Sequence, residues 1–122
     1  MIIVEGIHHI NIAVTNLATS SKFYSDLFDF EITDNSHSNY VSISLEPITV
    51  NLVQTEKVDN QLSSLSKPTL SFEMDVDDFT DAISEIEEKE IKIIKGPESI
   101  ENGESLLFAD PDNNLIEIFY KS

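Results

Sequence analysis

The chain has 122 residues, 40% of them apolar, enough for the core of one compact domain. It contains no cysteine, which excludes disulfides, thiolate metal centres and cysteine nucleophiles. Its 23 acidic residues face 7 basic ones, all lysine, for a formal charge of -16. That field disfavours nucleic acid and anionic membrane surfaces and favours cationic ligands. No apolar run approaches the ~20 residues that cross a bilayer, and the N-terminus lacks a basic region followed by an apolar one. A cytoplasmic protein is therefore expected.

From Ile7 to Val14 the residues alternate, with Ile10, Ile12 and Val14 on one side and His9, Asn11 and Ala13 on the other. This predicts a strand with one polar face. Asn16 can cap the following stretch, where Ser20, Phe23, Tyr24 and Leu27 form a stripe at helical spacing, so a helix is predicted over Leu17 to Phe28. Strands are expected at Phe30 to Asp34, Tyr40 to Leu45 and Thr49 to Gln54, separated by a polar loop over Asn35 to Asn39 and a turn at Glu46-Pro47. The polar stretch from Glu56 to Lys67 reads as a connection.

The order then repeats. Leu70, Phe72 and Met74 alternate with Thr69, Ser71 and Glu73. An amphipathic helix carrying Phe79, Ala82, Ile83 and Ile86 is expected to start near Asp77 or Asp78. Three more strands are expected at Ile91 to Ile94, Ser105 to Ala109 and Leu115 to Tyr120, with loops over Lys95 to Gly103 and Asp110 to Asn114. The acidic run Asp75, Asp77, Asp78 and Asp81 suits a helix N-terminus. It lacks the glycine and the terminal glutamate of a calcium loop. A repeat of about sixty residues is the strongest organisational signal, and two consecutive βαβββ modules, about 1–56 and 68–122, are expected in one α+β domain.

Three pieces carry a resemblance. They are His9-Ile10-Asn11-Ile12-Ala13-Val14 with Asn16-Leu17, Ser21, Phe23-Tyr24 and Leu27; Leu70 to Met74 through Asp78; and Phe108-Ala109-Asp110-Pro111-Asp112-Asn113-Asn114-Leu115-Ile116-Glu117-Ile118. In this order the chain resembles the vicinal-oxygen-chelate superfamily of glyoxalases, bleomycin-resistance proteins and extradiol dioxygenases. Glycine more often stands where this chain has Asn113. The resemblance implies curled mixed sheets around a cup, with helices on the outer face. It also implies a homodimer and a divalent metal held by residues at the matched positions His9, Asn51, Thr69 and Glu117.

Only His9 and Glu117 of these four are strong ligands. That falls short of the two-histidine, one-carboxylate set of non-haem iron and of the three protein ligands of catalytic zinc. The expectation is no metal, or a weakly bound divalent one at His9 and Glu117. His8, as the strand neighbour of His9, is expected to point to the opposite face. His37 lies in a loop. Glu117 interrupts an apolar strand, where a carboxylate is costly unless paired, hydrated or protonated. A cup lined by Asn11, Asn51, Thr69 and Glu73, with Tyr40 and Phe119 as flat walls, would suit a cationic or hydroxyl-bearing small molecule. Two functions stay open: a small-molecule binding protein similar to bleomycin-resistance proteins, and a metal-assisted or acid/base lyase, isomerase or dioxygenase using His9 and catalytic Glu117.

Overall fold

The computed structural model describes residues 1–58 and 68–122. Most of the expected connection, residues 59–67, lies outside them. The chain forms two compact units, Met1–Asp59 and Asn60–Ser122.

The first unit runs β1 (His9–Val14), α1 (Leu17–Phe28), β2 (Ile32–Asp34), β3 (Tyr40–Leu45) and β4 (Ile48–Gln54). Its sheet has the order β1-β4-β3-β2, with β1 parallel to β4 and the other pairs antiparallel. Asn16 accepts a hydrogen bond from the Thr19 backbone N–H at 3.0 Å, which satisfies one of the donors that a helix start leaves unpaired. At the other end Asp29 takes the left-handed conformation, φ 55°, and stops α1.

Register sorts the side chains of this sheet. Ile10, Val50 and Ile43 lie opposite one another, as do Ile12, Leu52 and Val41. Ile12, Val14, Val41, Ile43, Val50 and Leu52 are buried together with Tyr24 of α1, which packs on β3 and β4. The hydrophobic effect thus fixes which face the helix covers, each fully buried side chain contributing roughly 1.5–3 kcal/mol. The intervening residues fall on the other face by the period-2 rule. There Asn11, Asn51 and Ser42 form one row, and His9, Thr49 and Ser44 the next.

The second unit repeats the plan with β5 (Leu70–Glu73), α2 (Val76–Glu88), β6 (Ile93–Ile100), β7 (Gly103–Ala109) and β8 (Leu115–Lys121). The sheet order is β5-β8-β7-β6, with β5 parallel to β8. Phe79 and Ile86 of α2 are buried with Leu106, Phe108, Leu115, Ile116 and Ile118. Phe79 meets Tyr120 edge-on at 5.1 Å. The chain is therefore α+β, built of two βαβββ modules with two four-stranded mixed sheets.

Several strand and helix ends differ from the sequence expectation, and three of them have a local physical cause. β1 starts at His9 rather than Ile7, and Ile7 is 67% exposed. α2 starts at Val76, because Asp75 accepts from the Asp78 N–H at 2.8 Å and is the N-cap. β6 continues through the stretch expected to be a loop. Gly96 and Pro97 are tolerated because β6 is the sheet edge and its pairing with β7 shifts register between Lys95 and Glu98. Gly96 sits at φ +100°, and a Cβ there would meet the Ser105 carbonyl oxygen at 2.7 Å.

Candidate functional site

The polar face of the first sheet holds a recess of about 420 Å³ lined by His8, His9, Asn11, Tyr40, Ser42, Thr49, Asn51 and Val53. This is within the ~300–1,000 Å³ range of small-molecule sites. Three adjacent strands supply its floor. The Ser42 hydroxyl donates to Asn51 Oδ1 at 2.6 Å, and Asn51 Nδ2 donates to Asn11 Oδ1 at 3.0 Å. The chain of hydrogen bonds runs directly along the Asn11–Asn51–Ser42 row, so strand register assembles it. Ser42 is buried, Asn51 half-buried and Asn11 exposed, which makes a gradient from core to solvent.

Tyr40 forms a wall of the recess and stacks on His37, with centroids 4.2 Å apart and planes at 17°. His37 Nε2 in turn lies 3.2 Å from Asp34 Oδ2. The Ser36 backbone N–H and hydroxyl both donate to Asp34 Oδ1, at 3.0 and 2.7 Å. These bonds hold the Asp34 carboxyl below its ordinary value, and His37 adds a smaller pull in the same direction. The loop from 35 to 39 thereby braces the wall.

His8 departs from the sequence reading. Strand alternation puts it on the opposite face from His9, yet both line the recess, and their Nδ1 atoms are 2.9 Å apart. β1 begins only at His9, so strict alternation does not extend back to His8.

In the second unit, Glu117 is half-buried in β8, and its Oε1 accepts from the Ser71 hydroxyl at 2.5 Å. The carboxylate in an apolar strand is thus paired across the β5–β8 ladder, where Ser71 is its register partner. Phe119 lies opposite Glu73 of β5 and Ser105 of β7, with Lys121 Nζ 5.9 Å from its ring centroid. Thr69 precedes β5 and donates its backbone N–H to the Leu115 carbonyl at 2.7 Å. Thr69 is exposed, like Ser71 and Glu73. Tyr120 donates to Glu104 Oε2 at 3.3 Å; burial, and then the nearby carboxylate, raise the phenol above its ordinary value.

The structure so groups His9, Asn11, Tyr40 and Asn51 in the first unit and Thr69, Glu73, Glu117 and Phe119 in the second. Sequence reasoning missed Ser42, whose signal was present in the alternation of Tyr40, Ser42 and Ser44 with Val41, Ile43 and Leu45. His8 carried no such signal.

The four matched positions offer an imidazole, an amide, a hydroxyl and a carboxylate. Asn51 Oδ1, the ligating atom of that amide, already accepts from Ser42. Among the described residues no three His, Cys, Asp or Glu side chains converge on one point. This donor set does not fit a three-ligand catalytic metal centre.

Two βαβββ modules, each with its helix packed on a four-stranded mixed sheet, define the fold class of this protein. The chain belongs to the Glyoxalase/Bleomycin resistance protein/Dioxygenase superfamily, whose model matches residues 6–118. It is 29% identical over 117 residues to the metallothiol transferase FosB of Staphylococcus epidermidis, covering 94% of this chain and 81% of the relative. The FosB of Staphylococcus haemolyticus is 27% identical over 116 residues, with 94% and 83% covered. Among solved structures, a glyoxalase/dioxygenase from Nostoc punctiforme superposes with a TM-score of 0.80 at 21% identity, covering 97% of this chain and 92% of its own. The fosfomycin resistance protein FosX from Mesorhizobium loti does so with a TM-score of 0.77 at 21% identity, covering 98% and 95%. No helix among the described residues is long and apolar enough to cross a membrane.

Proposed function

We propose that this protein is a small-molecule binding module of the glyoxalase/bleomycin-resistance type, acting without an obligatory metal as a homodimer. The observation that carries the reading is the Ser42–Asn51–Asn11 hydrogen-bond chain on the floor of the 420 Å³ recess, flanked by Tyr40. Burying Ser42 and fixing both amides in one row pre-organises donors and acceptors, which reduces the ordering cost of binding. Among the described residues the lining has amide, hydroxyl and imidazole groups but no carboxylate and no lysine. Such a surface suits a hydroxyl- or amide-bearing ligand with a flat group for Tyr40, and the -16 field enriches cationic ones. Thr69, Glu73 and Phe119 are the corresponding ligand contacts proposed on the second sheet. FosB and FosX are named for metallothiol transfer and fosfomycin resistance. By analogy with them, the role of this chain is protection against a toxic small molecule.

A second reading is favoured by the pairing of Glu117 with the Ser71 hydroxyl across the β5–β8 ladder. A carboxylate held by a hydroxyl can act as a general acid or base, and proton abstraction next to a carbonyl is the chemistry it suits.

Both readings are tested by titrating the protein with metal-free bleomycin, as a basic aromatic probe, and with fosfomycin, as a phosphonate anion, in the presence of a chelator. Bleomycin is expected to bind, and Tyr40→Ala and Asn51→Ala each to weaken it about tenfold, the scale of one lost neutral hydrogen bond or stacking contact. Glu117→Gln is expected to spare binding. Preference for fosfomycin, or loss of all binding on chelation, would overturn the binding-module reading. Turnover of a carbonyl substrate that vanishes in Glu117→Gln would replace it with the enzyme one.

A further inference from the structure

We infer that His37 is a positioning residue for the ligand of the first-unit recess: its imidazole, anchored on Asp34, holds the Tyr40 ring as the flat wall against which one end of the ligand lies. This role rests on the binding reading proposed above and deepens it, because His37 stands outside the recess lining and acts only through Tyr40.

Strand register brings the parts together. Asp34 of β2 lies opposite Ser42 of β3, and Ser42 opposite Asn51 of β4, so Asp34 continues the polar row to the edge strand. Two residues before Ser42, Tyr40 faces the same side and lies opposite Val53. The recess is therefore graded along the strands. Tyr40 and Val53 make a flat apolar end, the Asn51 row an amide and hydroxyl centre, and Thr49 with His9 the far polar end. His37 spans the corner between β2 and β3, from the carboxylate that ends the polar row to the ring that walls the apolar end. Its Nε2 is 3.2 Å from Asp34 Oδ2, and its ring stacks 4.2 Å from that of Tyr40 at 17°.

Such a clamp matters because Tyr40 is the first residue of β3 and only half-buried. A ring in that position loses rotamer freedom when a ligand lies on it, and this loss opposes binding. A stacked partner removes the loss in advance. The His37 side chain is itself 45% exposed, so core packing does not hold it; Asp34 does. Asp34 is fixed in turn by the Ser36 N–H and hydroxyl, at 3.0 and 2.7 Å. The far end of the loop is tied where the Gln54 N–H donates to the Asn39 carbonyl at 2.8 Å. Each contact thus orders the next, from Ser36 through Asp34 and His37 to Tyr40.

The chain has three tyrosines and no tryptophan, so nuclear magnetic resonance of the full chain labelled with carbon-13 tyrosine follows the Tyr40 ring directly. In the ligand-free parent its ring signals are expected to be displaced by the imidazole ring current. His37→Ala and His37→Gln should move them toward the values of a free tyrosine while the Tyr24 and Tyr120 signals stay, and His37→Phe, which keeps a flat ring, should retain the displacement. Titration with metal-free bleomycin is the second readout. His37→Ala is expected to weaken binding about threefold, the scale of one stacked pair, and His37→Phe to restore it. In a Tyr40→Ala background His37→Ala should add no further loss. Thermal midpoints confirm that each variant is folded. Tyr40 signals that do not move in His37→Ala, or an equal loss of affinity with and without Tyr40, would overturn the positioning role. A parent chain that fails to bind bleomycin removes the binding reading instead, and the Tyr40 signals then decide alone whether His37 holds the ring.

Discussion

Asp110 shows how one side chain holds the closing hairpin. It is 4% exposed, and its Oδ1 accepts from the backbone N–H groups of Asp112 and Asn114 at 2.8 and 2.9 Å. Its Oδ2 accepts from Asn114 Nδ2 at 2.9 Å. Hydrogen bonds to a charged group contribute about 1.5–3 kcal/mol each, and buried donors left without a partner carry a penalty. Asp110→Ala is therefore expected to destabilise the chain by about 2–4 kcal/mol, with Asp110→Asn losing less, as measured by urea denaturation; a loss below half a kcal/mol would refute the account. This motif was legible in the sequence because its chemistry is local: an aspartate bonds backbone two and four residues on, and Asn113 supplies the left-handed turn at φ 64°. The Ser42–Asn51–Asn11 chain was only half legible. Alternation marked the polar face, but which serine meets which amide depends on register between strands, which no local pattern encodes. His8 was misread because alternation was carried one residue beyond the start of the pleated strand.

At the level of elements, helices were read more closely than strand ends. α1 falls on its expected residues because Asn16 and the Ser20–Tyr24 stripe are both local signals, whereas β6 was cut short at Gly96-Pro97, which only an edge position makes compatible with a strand. The start of α2 adds a finding of its own. Asp75, Asp77, Asp78 and Asp81 all suit the positive end of a helix, yet they also repel one another. Repulsion from Asp75 is the main cause that raises the Asp78 pKa above its ordinary 3.8, with smaller pushes from Asp81 and Asp77. A folded-state pKa above the unfolded one means that the ionised carboxylate disfavours folding at pH above the folded value, and that the effect is absent below the unfolded value. Asp78→Asn is thus expected to raise the thermal midpoint at neutral pH, and the gain should shrink to nothing as pH falls through the carboxylate range at and just above 3.8. A gain that persists unchanged in acid would show that charge repulsion is not its cause.

For the whole molecule, the acidic surface and the N-terminal segment act in opposition. Five of the strongly exposed large apolar residues, Met1, Ile2, Ile3, Val4 and Ile7, fall within the first seven positions, at 111%, 90%, 81%, 73% and 67% exposure. They precede β1, the end strand of its four-stranded sheet. In the proposed homodimer a two-fold axis would bury both segments reciprocally. At roughly 1.5–3 kcal/mol per buried side chain, the five from each copy would together contribute at most about 15–30 kcal/mol, enough to offset the ~4–15 kcal/mol that association costs. Opposing this, two bodies of charge -16 repel each other, and salt screens that repulsion. Sedimentation equilibrium is accordingly expected to show a homodimer at physiological salt that loosens as salt is lowered. Replacing Ile2, Ile3 and Val4 together by serine should shift it to monomer while circular dichroism stays unchanged, because none of the three contributes to the buried core. A triple variant that dimerises as well as the parent would assign the interface elsewhere, and dimerisation that weakens as salt is added would mean that attraction between charges, rather than apolar burial, holds the copies together.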